Sequence, residues 1–95
     1  MDRQTARQKM HEFIDRVMTL QEHKKPDEEY DIQYSGITDG LTVVKYTKYT
    51  LDAKEELRLR TEFYKTAYFD WDNGYIDEIE KWAEQEEKDH DIIRD

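Results

Sequence analysis

Ten residues in the middle of the chain, LTVVKYTKYT at positions 41–50, constrain its fold more than any other stretch. They are rich in β-branched and aromatic side chains, which favour a pleated, half-buried strand. A shorter run at positions 30–34 alternates apolar and polar residues, as strands do. Between the two runs lies GITDG at positions 36–40, and its Asp39-Gly40 pair is a strong turn signal. The sequence therefore predicts a β-hairpin over these residues.

The segment at residues 52–69 fits two structures. As a strand beginning near residue 57, it alternates strictly, and one face carries the apolar side chains Leu57, Leu59, Phe63, Ala67 and Phe69. As a helix, it begins with a capping box formed by Asp52 and Glu55. We favour the strand, because β-forming residues dominate the segment. The predicted sheet region then covers residues 30–69.

Amphipathic helices are predicted on both sides of the sheet region. Residues 3–23 place apolar side chains at helical spacing with no glycine or proline between them. Pro26, the only proline, ends that helix. Residues 74–94 show the same period, and their apolar face carries Tyr75, Ile76, Ile79, Trp82 and Ala83.

These elements predict one α+β domain over residues 1–95. Its order is an N-terminal helix, a three-stranded antiparallel meander and a C-terminal acidic helix, with both helices on one face of the sheet. The alternative order, which follows if residues 52–69 are helical, is a helix, a β-hairpin and two helices.

The negative charge of the chain is concentrated in its last quarter. The whole chain has a formal charge of −9, and residues 70–95 contain eleven acids against three bases. Five of these acids recur at steps of three and four residues, and we call them the acidic stripe: Asp77, Glu80, Glu84, Glu87 and Asp91. On a helix they fall within about 80° of arc, with one carboxylate roughly every 5 Å along the axis.

The acidic stripe has two interpretations. Like charges four residues apart cost a few tenths of a kcal/mol each, so helix stability alone does not select such a stripe. It is either a solvated face or a surface that binds a basic partner, with Glu78 and Trp71 as secondary contacts. The N-terminal helix carries Arg3, Arg7, Lys9 and Arg16, and pairing with these bases inside the molecule would lower the stripe's value as a binding site.

Composition and motifs exclude several other classes of function. There is no cysteine, hence no disulfide and no thiolate metal site. The N-terminus lacks an apolar run, and no segment approaches the length of a membrane span, so we expect a cytoplasmic protein. No phosphate-binding loop or nucleophile elbow is present, and the three histidines are scattered. We therefore expect no catalytic residues, no metal ligands and no cofactor.

A near match to a calcium loop lies at the start of the acidic segment. The residues from Asp70 to Glu80, DWDNGYIDEIE, resemble an EF-hand loop in their order of acids, glycine, an apolar residue and a final glutamate. The stretch is one residue short between Asp72 and Gly74, which disturbs the spacing that sets the coordination geometry. The resemblance implies a degenerate calcium-binding domain and remains an alternative. The other interpretation is a turn and helix cap.

Taken together, the sequence predicts a non-enzymatic, acidic protein-binding module. Its hypothetical role is that of an inhibitor that mimics DNA and occupies the basic site of a nucleic-acid-binding protein or nuclease, with the small size and acidity of phage-encoded inhibitors. The alternative partner class is that of antitoxin or immunity proteins, which use an apolar hot spot as well as charge. No direct contact with nucleic acid or membrane is expected. A thin core, with Leu, Ile, Val and Phe at only 18 of 95 positions, leaves homodimerisation open.

Overall fold

The predicted α+β fold is confirmed by a computed structural model, which describes residues 2–51, 56–68 and 75–93. Two helices flank a three-stranded antiparallel sheet of strand order β1-β2-β3. In chain order the elements are α1 (Arg3–Glu22), β1 (Glu28–Ser35), β2 (Gly40–Leu51), β3 (Glu56–Tyr68) and α2 (Tyr75–Asp89). Within the described residues, neither helix is both long and apolar enough to cross a membrane.

The number of strands sets the direction of the helices. Because three antiparallel strands separate α1 from α2, the two helices run parallel to each other on the same face of the sheet. α1 contacts β1, α2 contacts β3, and the two helices also contact each other. This arrangement brings the basic N-terminal helix alongside the acidic C-terminal helix.

The hydrophobic core lies between the helices and one face of the sheet. From the helices it takes Ala6, Phe13, Val17, Leu20, Ile76 and Ile79, and from the sheet Tyr30, Leu41, Val43 and Ala67. Phe63 of β3 stacks on Trp82 of α2, with ring centroids 4.4 Å apart. The aromatic side chains thus enlarge a core that is poor in aliphatic residues.

Residues 56–68 form a strand, which excludes the alternative with a third helix. The predicted strict alternation is wrong, however, because the pairing of β2 with β3 shifts between Lys45 and Tyr46. Glu62 is the extra residue of this β-bulge. A bulge reverses the facing of the residues beyond it, so Leu57 and Leu59 lie on the face opposite to Phe63. Both leucines are more than half exposed.

Helix α1 begins after the N-cap residue Asp2, a residue type that is favoured at this position. The backbone N–H of Thr5 donates to Oδ1 of Asp2 at 2.8 Å, which satisfies one of the free N–H groups of the first turn. The helix ends at Glu22, one residue before the predicted boundary, and His23 closes its last turn with bonds to carbonyls of that turn.

Helix α2 ends at Asp89, whereas periodicity predicts a helix to residue 94. Asp91 has a φ of 56°, and its N–H donates to the carbonyl of Lys88 while that of Ile92 donates to the carbonyl of Glu87. These are the two bonds of a Schellman motif. Ile92 then packs against the core, so the chain turns back instead of continuing the helix.

We predict that Asp91→Gly raises the free energy of unfolding by about 0.5–1 kcal/mol, because glycine adopts the left-handed conformation without strain from a Cβ atom. Urea denaturation followed by circular dichroism measures the difference. Asp91→Ala is the matched control, since it removes the charge but retains a Cβ, and it should not stabilise the protein. A less stable Asp91→Gly variant would show that Asp91 contributes a contact that outweighs its backbone strain.

Candidate protein-binding surface

The structure divides the acidic stripe into two edges. The inner edge faces α1, where Glu80 pairs with Lys9 and Glu87 pairs with Arg16. Arg16 donates to Glu87 from both Nη2 at 2.6 Å and Nε at 3.2 Å, and both side chains are about 95% buried. This fork-on-carboxylate geometry is the strong form of an ion pair.

Helix geometry explains which acids turn inward. Glu87 lies four residues after Ala83, hence only about 40° from the centre of the buried face of α2. Each inner pair joins residues 71 positions apart, and Lys9 precedes Arg16 by seven residues, as Glu80 precedes Glu87. Seven residues are two turns, so parallel helices bring both pairs into register.

The outer edge of the acidic stripe consists of Asp77, Glu84 and Asp91, which we call the outer acids. All three are exposed. Their carboxylates have no hydrogen-bond or ion-pair partner among the residues that the structure describes. Asp77 and Glu84 are two turns apart on α2, or about 10 Å. Asp91 lies beyond the helix, in the turn that follows it.

The two secondary contacts predicted beside the stripe have different outcomes. Glu78 is exposed, and its carboxylate lies 3.2 Å from Nζ of Lys65 on β3. The same ammonium lies 4.6 Å from the centre of the Tyr75 ring, so Lys65 is shared between a carboxylate and an aromatic face. Trp71 lies outside the described residues.

The basic residues of α1 lie on two different faces of the helix. Lys9 and Arg16 face α2, as described above. Arg3 and Arg7 lie more than 100° away around the helix and line a cleft of about 400 Å³ beside Tyr34 of β1. The cations at the start of α1 therefore form no ion pair with the outer acids.

The EF-hand resemblance does not extend to the surrounding elements. An EF-hand loop lies between two helices, whereas the element before this segment is the strand β3. The first residues of the loop, including Asp70, Asp72 and Gly74, lie outside the described residues. In the part of the chain that the structure describes, no group of three or more His, Asp or Glu side chains is arranged to hold a metal ion.

A second group of charges, which sequence reasoning missed, lies between the sheet and the end of α2. Nζ of Lys45 on β2 lies 3.0 Å from the carboxylate of Glu28 and 2.5 Å from that of Glu86. Glu28 and Glu86 are both more than 90% buried. His90 completes this buried charge cluster, with Nε2 2.6 Å from Oε1 of Glu28.

The geometry around His90 favours the doubly protonated ring. Its Nδ1 lies 2.6 Å from the carbonyl oxygen of Glu86 and its Nε2 lies 2.6 Å from the Glu28 carboxylate, and both of these groups accept hydrogen bonds. The Tyr30 hydroxyl is a more distant neighbour of Nε2, at 3.3 Å. Burial alone lowers the pKa of His90, but the hydrogen bonds to Glu28 and Glu86 outweigh it and raise the pKa above 6.5. Two cations and two carboxylates then balance within the cluster.

The pKa values of the groups around His90 are also shifted by burial and by hydrogen bonds within the cluster. Burial raises the pKa of Glu28, but hydrogen bonds from His90, the Lys25 N–H and Lys45 outweigh it and lower the pKa to about 2. Burial lowers the pKa of Lys45, and its two carboxylate partners raise it above its ordinary value. The pKa of the Tyr30 phenol is raised, first by burial and then by Glu86. These shifts favour the charged forms of Glu28, Lys45 and His90, whose contacts hold α2 on the sheet.

The sequence contains a signal for both the buried Arg16–Glu87 pair and the buried charge cluster around Lys45. Glu86 and Glu87 lie three and four residues after Ala83, at positions where an amphipathic helix is normally apolar. Lys45 continues the core-facing alternation of Leu41 and Val43. A charge at a core position indicates a buried partner, although the sequence does not say which one.

Comparison with known proteins found no similar protein: the chain matches no protein-family model, no curated protein and no solved structure.

We predict that Arg16→Met lowers the free energy of unfolding by about 3 kcal/mol or more, because it removes the guanidinium that balances the buried Glu87 carboxylate. The double variant Arg16→Met with Glu87→Met should recover most of the loss, since it removes both charges. Lys9→Met is the control for the more exposed pair and should cost about 1 kcal/mol or less. Urea denaturation of the four proteins measures these differences. A loss below 1 kcal/mol for Arg16→Met alone would contradict the structural role of this pair.

We also predict that stability falls as pH rises above neutrality. A raised pKa in the folded state gives His90 a contribution that is complete below its ordinary pKa of 6.5 and is lost as pH rises through the folded value. The melting temperature of His90→Gln should therefore change less between pH 6 and pH 9 than that of the original chain. His11→Gln, at an exposed histidine, is the control and should leave the slope unchanged. Equal slopes for the original chain and His90→Gln would contradict the assignment.

Proposed function

We propose that this chain is a non-enzymatic, acidic protein-binding module that occupies the basic, nucleic-acid-binding site of a partner protein and so inhibits it. The observation that carries the proposal is the set of outer acids, whose carboxylates are exposed and form no ion pair among the described residues. Uncompensated carboxylates held on a folded element attract a basic surface and steer its approach.

Rigidity favours this use of α2. The helix is fixed to α1 through the buried Arg16–Glu87 pair and to the sheet through the buried charge cluster. A partner therefore meets acids that are already positioned, and binding does not have to order the helix. The inner acids contribute to binding indirectly, by holding the helix that carries the outer acids.

The resemblance to DNA lies in the electrostatic field and not in the spacing of individual charges. Duplex DNA carries a phosphate every 3.4 Å along each strand. Because Glu80 and Glu87 are paired internally, Asp77 and Glu84 are about 10 Å apart along α2. Exposed Asp89 adds charge near the end of the helix, whereas Glu78 is paired with Lys65. With a net charge of −9, the surface remains strongly attractive to a basic site even without matching the phosphate register.

A second candidate function is that of an antitoxin or immunity protein made for one cognate partner. Ile93 favours it, because this side chain is 91% exposed two residues after Asp91. An exposed isoleucine beside an acid supplies an apolar contact together with charge, as interface hot spots do. Binding of this kind survives high salt, whereas binding by the outer acids alone does not.

The experiment that tests the proposed function compares two double charge reversals by affinity capture from lysate. The variant Asp77→Lys with Glu84→Lys removes two outer acids. The matched control, Glu22→Lys with Asp27→Lys, makes the same change in net charge at exposed positions outside α2. We predict that only the first variant weakens capture of the partner, by at least tenfold at low salt.

Mass spectrometry of the proteins released along a salt gradient identifies the partner. A basic nucleic-acid-binding protein that elutes sharply, is lost in the outer-acid variant and is retained by the control supports the proposal. Equal loss in both variants would show that total charge, and not the outer acids, drives binding. A partner that resists high salt and depends on Ile93 would favour the immunity-type function instead.

A further inference from the structure

The face of the sheet opposite to the helices carries few charges. Cross-strand pairing directs eleven side chains of β2 and β3, at positions 42–50 and 57–68, and four of β1 to this face, which we call the open face. Those of β2 and β3 are four threonines, three tyrosines, two leucines, one valine and one lysine, and those of β1 are Glu29, Asp31, Gln33 and Ser35. The lysine, Lys48, is paired, with Nζ 2.6 Å from the carboxylate of Glu29 on β1.

The β-bulge at Glu62 extends the apolar part of this face. Without the bulge, Leu57 and Leu59 would share the helix-side face with Phe63. With it, they join Tyr64 on the open face, and these three side chains are 61%, 54% and 62% exposed. Bulges are used in this way to redirect side chains. The apolar surface of the sheet therefore runs on along the part of β2 and β3 that extends beyond β1.

The lack of charge here stands out against the rest of the chain. Since 41% of all residues are charged, fifteen residues drawn at random would include about six charges, whereas the open face has three, of which Glu29 and Lys48 form a pair. Depletion of charge together with enrichment in tyrosine is typical of the core of a protein interface. A sheet face that met only water would not need such a composition.

The net charge of the chain indicates which protein covers the open face. Two copies carry −9 each and repel each other wherever their acidic surfaces meet. On the open face they meet with little of that repulsion, because Glu29 is paired with Lys48, and Asp31 on the edge strand β1 is the one further acid among its fifteen side chains. A twofold axis through this face would place apolar side chains of one copy against those of the other.

The size of the face is sufficient for such a contact. β2 and β3 have twelve and thirteen residues, which corresponds to a length of about 40 Å. With about 4.8 Å of width for each strand, and the shorter β1 of eight residues included, the flat area is about 500 Å² in each copy. The total of about 1,000 Å² reaches the roughly 1,000 Å² expected of a specific interface, before side-chain relief is counted.

We propose that two copies of this chain pack open face to open face, as a twofold-symmetric sandwich of two three-stranded sheets. This inference goes beyond the proposed function and does not depend on it. In such a dimer the helices cover the outside, and the two sets of outer acids lie on opposite surfaces. The dimer would therefore present two binding surfaces to basic partners.

Light scattering during size exclusion, repeated over a range of protein concentrations, tests the dimer on the full chain. The expected mass is twice the 11.7 kDa of one chain. Leu59→Lys places a like charge on both sides of the interface and should reduce the mass to that of one chain, with the dissociation constant raised at least 100-fold. Met18→Lys is the matched control on α1, since Met18 is 56% exposed, and it should remain dimeric.

Circular dichroism confirms that each variant is folded, and Tyr64→Lys replaces Leu59→Lys if the latter unfolds. A monomer at all concentrations in the original chain would overturn the proposal. So would a Leu59→Lys or Tyr64→Lys variant that is folded and still dimeric, because the copies would then associate through another surface. Loss of the dimer in these variants, with retention in Met18→Lys, supports the open face as the interface.

Discussion

The ion pair between Arg16 and Glu87 is the interaction on which the arrangement of the helices depends. It is buried, bidentate and placed where α1 and α2 run side by side. A buried pair of this kind adds little stability compared with apolar residues of the same size, but it penalises every arrangement that separates its partners. In a chain with a thin aliphatic core, that penalty fixes which helix faces meet and hence which acids point outward.

Charge is used in three different ways in the same small fold. The inner acids of α2 hold the two helices together, and the buried charge cluster around Lys45 holds the end of α2 on the sheet. The outer acids have no such task among the described residues. The open face has few charges, and two of its three form a pair. The charges of the chain are therefore divided among a paired interior, an acidic outer surface and a sheet face with few charges.

The sequence predicted the fold well because each element has a clear period, and the three-stranded meander follows from the alternation in β3. It predicted the acidic stripe but not which of its acids face α1 and which face outward. The angular position of a residue on its own helix does not show on which side the neighbouring helix lies. Glu87 and Lys45 illustrate the limit: the sequence shows that both are charged, and only tertiary packing shows their partners. The facing of Leu57 and Leu59 was wrong because a single extra residue, Glu62, has no signal in an alternating pattern.

The measurement that tests the central claim most directly is displacement of duplex DNA from the captured partner. Fluorescence anisotropy of a labelled duplex bound to that partner would be followed as this chain is added. Occupation of the nucleic-acid-binding site by the outer acids predicts that anisotropy falls to the value of free DNA, and that the fall weakens as salt rises. Anisotropy that stays constant or rises, because the chain binds while the DNA remains in place, would contradict the account.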